Sequence, residues 1–357
     1  NWEFISVKFT QILQIIYIKM ILLLHKQWYC DSNDYCKSIW RKKMGKESFS
    51  IIVNQKTKAK VEQLAQAIFT ICALFAVLAV FSITLYMIIS GTPALFEVGI
   101  LEILFGTVWK PTAAEPSYGI LFVILTSIVG TVLAVMIGVP IGVLTAVFLA
   151  EVAPKKFVAI VKPAVELLAG IPSVIYGLLG ILILNPLMYK LELYIFEGST
   201  SHQFTGGSNL ISAVLVLTIM ILPTVINISE SAIRAVPKDY KMTSLSLGAT
   251  HIQTIFKVIL PAAKSGIVTA IVLGVGRAIG EAMAISLVSG SSVNLPLPFN
   301  SVRFLTTAIV SEMSYAAAGS THRNVLFTIG LVLFAFIMLI NISLTKILKK
   351  DGEGSGK

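Results

Sequence analysis

The chain has 357 residues, 56% of them hydrophobic and only 13% charged, with a net charge of +10. A soluble globular protein carries about 25% charged residues, so this balance excludes a soluble enzyme or soluble binding domain. The apolar residues form long unbroken runs rather than short alternating segments, which favours a polytopic all-α integral membrane protein over a barrel.

Residues 1–43 do not resemble the rest of the chain. They mix lysines, aromatics and two of the three cysteines, Cys30 and Cys36. The apolar stretch 4–24 is broken by Lys8 and Lys19 and lacks a small-residue cleavage pattern. Met44-Gly-Lys-Glu-Ser-Phe reads as a natural start. The expectation is a non-native or upstream leader at 1–43 and a basic cytoplasmic leader at 44–63. The cysteines fit no zinc or redox spacing, Cys72 is expected in the core, and no metal site is expected.

Six apolar runs come after the leader, at 64–89, 120–150, 164–184, 210–228, 266–288 and 325–344. Each is near or above the roughly 20 residues a spanning helix needs. The first forms transmembrane helix 64–89, and the other five lie in a core at 117–347. A flexible cytoplasmic tail occupies 348–357. Pro140 in the second run removes a backbone donor and should kink that helix. Basic residues cluster in alternate loops: Lys155, Lys156 and Lys162 after the second run, and Arg234, Lys238, Lys241, Lys257 and Lys264 after the fourth. The intervening loops hold only Lys110, Lys190, Arg303 and Arg323. The positive-inside rule then places both termini in the cytoplasm. Charge spread over the loops of one side argues against nucleic-acid binding.

The run 266–288 carries Arg277 and Glu281 near its centre. As one helix it would put them one turn apart on one face, about 6 Å apart along the axis. A charge at that depth costs roughly 2.5–3.5 kcal/mol on insertion scales. Two readings stand: a structural ion pair between helices, or a pair lining a path for an oxyanion, which the planar guanidinium suits. Of 28 Lys and Arg residues 23 are Lys, yet the intramembrane cation is Arg. Gly274, Gly276 and Gly280 flank the pair, and Gly276 with Gly280 makes a small-xxx-small face for close helix packing. Ser173 either donates to an oxyanion or bonds its own helix backbone. Glu166 reads as a solvated or loop-paired carboxylate.

The loop between the fourth and fifth runs is the most structured one. Pro237 opens a helix, Gly248-Ala249-Thr250 breaks it, and a second short helix runs to Leu260 ahead of Pro261. Two angled short helices form a compact knob.

Residues 241–261 (KMTSLSLGATHIQTIFKVILP) resemble the coupling loop of ABC-importer permeases, whose pattern is Glu-Ala-Ala, three residues, Gly, nine residues, Ile, one residue, Leu-Pro. Gly248, Leu260 and Pro261 match, and Val258 stands for Ile. Met242, Thr243 and Ser244 replace Glu-Ala-Ala, so any contact made by the family's Glu is not carried over. The segments 167–177 (LLAGIPSVIYG), 273–284 (LGVGRAIGEAMA), 105–111 (FGTVWKP), 305–309 (LTTAI) and 322–327 (HRNVLF) narrow the likeness to the phosphate-specific, PstC-type permease subunits. It spans 63–350.

The resemblance implies a type I importer fold with six transmembrane helices and a cytoplasmic coupling helix, in a bacterial cytoplasmic membrane. It implies as partners a homologous second permease (PstA-like), two ATP-binding subunits (PstB-like), an extracytoplasmic phosphate-binding protein (PstS-like), inorganic phosphate and the bilayer. The coupling positions would be Met242, Thr243, Ser244, Gly248, Ala249, Thr250, Leu260 and Pro261. The chain has no phosphate-binding loop motif, so it should not hydrolyse ATP itself, and no cofactor is expected. A permease for sulfate or molybdate, a stand-alone channel and a secondary carrier remain open. The scattered histidines give no support to a membrane enzyme.

Overall fold

The computed structural model describes residues 55–198 and 202–353, with side chains over 63–198 and 202–343. The expected leader 1–43, residues 44–54 and the last four residues lie outside these. The chain divides into a unit ending at Ala76 and a unit of Val77–Lys357. What is described of the first unit is the opening part of helix α1 (Gln55–Ala94). There Leu64, Phe69, Leu74 and Phe75 are exposed, as is Cys72, which corrects its expected core placement.

In the second unit α1 does not stop near residue 89. It continues past Pro93, through one π turn at Leu95–Gly99, into α2 (Ile100–Phe105). The sequence Ser90-Gly-Thr-Pro reads as a helix end, but a tertiary contact carries the helix through it. Thr328 donates to the Gly91 carbonyl at 3.0 Å. A two-stranded hairpin comes next, β1 (Trp109–Lys110) against β2 (Ser117–Tyr118). Helix α3 (Leu121–Val147) then runs uninterrupted past Pro140 and ends in a π turn, Phe148–Val152.

The third expected span is broken. Helix α4 (Lys155–Gly170) stops, Ile171 and Pro172 are extended, and α5 (Ser173–Leu179) restarts. The cause is local. A residue before proline is pushed out of the α region, and Ile171 sits at φ −71°, ψ 129°. Through a π turn at Gly180–Leu184, α5 continues into α6 (Asn185–Ile195), so the crossing segment is Ser173–Ile195 rather than 164–184.

Helix α7 (Leu210–Arg234) is the central rod. In its apolar stretch 61% of residues are buried inside the chain, against 33% for the α3 run and 28% for the last span. Glycines of α3 let its backbone approach this rod. A Cβ at Gly142 would lie 2.8 Å from Val225, and one at Gly138 would lie 2.7 Å from Ile221.

The knob is α8 (Lys238–Ser246), α9 (His251–Thr254), a π turn at Ile255–Ile259 and α10 (Leu260–Ala262). After a 69° bend, α11 (Lys264–Gly280) enters the bundle. Short α12 (Met283–Val288) and α13 (Leu305–Glu312) lead to the long α14 (Thr321–Glu353). Among the described residues five helical runs are long and apolar enough to cross a bilayer, and the bent knob–α11 pair makes a sixth if counted as one span.

Candidate substrate path and coupling surface

The run carrying Arg277 and Glu281 is not one helix. α11 ends at Gly280, and Glu281 is extended at φ −74°, ψ 129°. The expected arrangement of the two on consecutive turns of a continuous helix is therefore corrected. The Glu281 side chain turns forward and accepts the Ala284 N–H at 3.0 Å, capping α12. Its carbonyl accepts the Thr306 hydroxyl at 2.6 Å. A carboxylate that caps the next helix, after a glycine that is a poor helix former, accounts for a break without proline.

Arg277 is half-buried and donates from Nη1 to Thr224 Oγ1 of α7 at 3.3 Å. Among the described residues no carboxylate pairs with it. Arg234 and Arg303, in contrast, are paired with Glu230 and Glu312. Arg277 thus keeps most of its five donors and its charge uncommitted.

The two chain breaks are neighbours. A Cβ at Gly177 would lie 2.9 Å from the Ala284 backbone, and one at Gly180 would lie 2.5 Å from Val288. α5 and α12 therefore run side by side in the same direction, and both start next to a break. Ser173 is the first residue of α5, half-buried, and makes no side-chain hydrogen bond among the described residues. It has no preceding turn of its own helix to bond. Tyr176, buried, bridges the first break by donating to the Leu168 carbonyl at 2.7 Å. Glu166 is exposed on α4.

The glycines divide by role. Gly274 packs against α7, where a Cβ would lie 3.0 Å from Val225. Gly276 and Gly280 meet nothing within 4 Å, so the expected small-xxx-small contact is not made among the described residues. That strip of α11 is left open.

The candidate coupling segment folds into the two short helices that its sequence implies. Gly248 follows the C-terminus of α8 at φ +83°, a conformation that favours glycine. Thr250 and Gln253 form a reciprocal capping box. Ser244 and Thr254 share a hydroxyl hydrogen bond at 2.9 Å, fixing α8 against α9. Ile255 and Ile259 are buried with Ala146, Val147 and Ile233, which roots the knob in the ends of α3 and α7. The outer face carries exposed apolar side chains among polar ones: Met242 is 64% exposed, Leu247 83% and Ile252 68%. Thr243, Gly248, Thr250 and Pro261 are exposed beside them, and Ala249 and Leu260 are half-buried.

Three buried carboxylates escape sequence reading. Glu230 accepts from Lys162 of α4 at 2.8 Å and from Arg234, which also donates to the Leu149 carbonyl at 2.9 Å. Glu312 gathers Trp109 of the hairpin at 3.0 Å, Arg303, and His322 of α14 at 2.7 Å. Glu192 holds His202 at 2.8 Å and the Thr205 N–H at 3.0 Å. Only the Glu230–Arg234 spacing of four is a visible signal, because the other partners lie beyond a helical turn, from 9 residues away for Arg303 to 203 for Trp109. In the hairpin, burial first and the Glu97 charge second push the Tyr118 phenol above its ordinary range, so it stays neutral at neutral pH.

Residues 138–351 match the family described as binding-protein-dependent transport system inner membrane component. The chain is 37% identical over 297 residues to the probable ABC transporter permease protein YqgH of Bacillus subtilis (strain 168), covering 81% of this chain and 93% of that one. It is 32% identical over 311 residues to the phosphate transport system permease protein PstC of Xylella fastidiosa (strain 9a5c), covering 83% and 94%. A solved bacterial alginate ABC transporter, in complex with an alginate pentasaccharide-bound periplasmic protein, has a chain of the same fold. Its TM-score is 0.59 at 14% identity, covering 82% of this chain and 96% of that one. The family match takes in the knob and the Arg277 break alike, and the chain belongs to the binding-protein-dependent transport system inner membrane components, the permease subunits of ABC importers.

Proposed function

We propose that this chain is the permease subunit of an ATP-driven importer of inorganic phosphate, supplying half of the translocation path. The observation that carries the reading is Arg277, a guanidinium held among membrane helices by a neutral hydroxyl and left without a paired carboxylate. Such a group is costly unless an anion uses it. Its planar fork of donors fits the oxygens of a phosphate. Glu281, fixed at the start of α12, tempers the positive potential from a set position, so that the anion also leaves. Ser173 offers a further hydroxyl at the neighbouring break. The 32% identity to a phosphate transport permease supports the substrate.

In this reading, which the positive-inside pattern supports, the knob and both termini lie in the cytoplasm of a bacterial cell and the hairpin outside. The exposed apolar residues Met242, Leu247 and Ile252 then face water, and burial in a groove of an ATP-binding subunit accounts for them. The open strip of α11 at Gly276 and Gly280 would receive the homologous second permease. A second ATP-binding subunit and an extracytoplasmic phosphate-binding protein complete the assembly. Closure of the ATP-binding pair moves the knob, and the helices rock between inward-open and outward-open states.

The test is uptake of radiolabelled phosphate into vesicles holding the reconstituted complex. Uptake that needs both ATP and the binding protein, and that resists excess sulfate and molybdate, is expected. Preference for sulfate or molybdate would reassign the substrate, and uptake without ATP would point to a channel or carrier.

A further inference from the structure

A second feature of the knob lies outside its docking face. Lys241, one residue before the Met242-Thr243-Ser244 segment, reaches back to Glu151 in the π turn that ends α3, with Nζ 2.5 Å from Oε2. Glu151 is 13% exposed in its side chain and Lys241 32%, so the pair is partly withdrawn from water. Two residues earlier in the same π turn, the Leu149 carbonyl accepts from Arg234 at the end of α7. Arg234 pairs with Glu230, which also holds Lys162 of α4. One polar chain therefore runs from the knob through α3 and α7 to α4, the helix that ends at the Gly170–Pro172 break. In the other direction the knob is joined to α11 covalently, through the bend after Ala262.

We infer that the Lys241–Glu151 ion pair is the transmission contact by which movement of α8 is carried onto α3, setting how much transport each ATP yields. The geometry favours this over a static brace. This pair is a side-chain bond that joins α8 to a membrane-helix run, and Ala235-Val236-Pro237 is its backbone link, whereas the buried apolar anchors Ile255 and Ile259 lie on the other arm of the knob. A charge pair at the polar crossing between α8 and α3 resists both pulling apart and sliding. The neighbouring Arg234–Leu149 bond holds the receiving π turn to α7, so the push is shared by two spans. Lys241 and Glu151 are positioning residues and touch no substrate.

The inference rests on the proposed docking of an ATP-binding subunit, and the experiment separates the two. In vesicles holding the full complex, phosphate uptake and ATP hydrolysis are measured together for the wild type, Glu151→Gln, Lys241→Glu and the exchanged pair Glu151→Lys with Lys241→Glu. For Glu151→Gln the transmission role predicts about a tenfold fall in phosphate carried per ATP, the size of a typical coupling between sites. Copurification of the ATP-binding subunits and the hydrolysis rate should be unchanged. The exchanged pair should recover most of the ratio that Lys241→Glu alone loses. An unchanged ratio in Glu151→Gln, or no recovery in the exchanged pair, overturns the transmission role. A wild type that hydrolyses ATP without uptake overturns the importer reading instead.

Discussion

The two ends of the helical bundle are each tied by a buried carboxylate, and the ties differ. At the hairpin end Glu312 is 4% exposed, and its partners Arg303 and His322 are 17% and 11% exposed. At the knob end Glu230 is as buried, at 3%, but Lys162 and Arg234 are 39% and 45% exposed. A pair with both members withdrawn from water loses its compensation when one is removed, whereas half-exposed cations can be rehydrated. The hairpin end is thus a closed clamp over β1, α13 and α14. The knob end is a joint whose contacts can exchange with water, as the proposed movement of the knob requires.

The largest stability effect should come from breaking the clamp. Glu312→Ala leaves Arg303 with a buried charge and Trp109 without its acceptor, and should cost about 3–5 kcal/mol in thermal unfolding of the purified complex. Glu230→Ala should cost clearly less, below about 2 kcal/mol, because water reaches its cations. Equal losses would erase the distinction between clamp and joint. Gly142→Leu sharpens it from the middle of the bundle. The new side chain meets the stiff Val225 of α7, for a cost of about 1–3 kcal/mol by overpacking. Gly248→Asp places a side chain at φ +83° on the knob, and should lower phosphate carried per ATP while leaving global stability within about 1–2 kcal/mol. Gly276→Ala, where nothing lies within 4 Å, should change the stability of the isolated chain by less than about 0.5 kcal/mol. It should weaken copurification with the second permease if that strip is the interface.

The apolar runs and the knob are legible because their signals are local: hydropathy over twenty residues, a proline at a helix start, and a glycine where φ turns positive. The break at Pro172 is legible in principle from the dipeptide Ile171-Pro172, though apolarity on both sides masks it. The break at Glu281 is not, because the run stays apolar and the cause is a side chain that caps the helix ahead. Arg277 stands out by its charge, but its isolation from Glu281 depends on that break. The carboxylates Glu192, Glu230 and Glu312 read as ordinary loop or helix-end acids. Lys162 lies 68 residues before Glu230, and Trp109 lies 203 before Glu312. Pairings at such separations are set by the packing of α4 on α7 and of the hairpin on α13, which no short window contains.

Glu230 and Glu312 hold Arg234 and Arg303 at the two ends of the bundle, whereas Arg277 pairs with no carboxylate among the described residues and is held by the Thr224 hydroxyl. ATP-dependent phosphate uptake by the reconstituted complex carrying Arg277→Leu tests its role most directly. The account predicts uptake lost by at least about 100-fold, as when a charge partner worth roughly 3 kcal/mol is removed, with the subunits still assembled and ATP still hydrolysed. Uptake at the wild-type rate in that complex would contradict it.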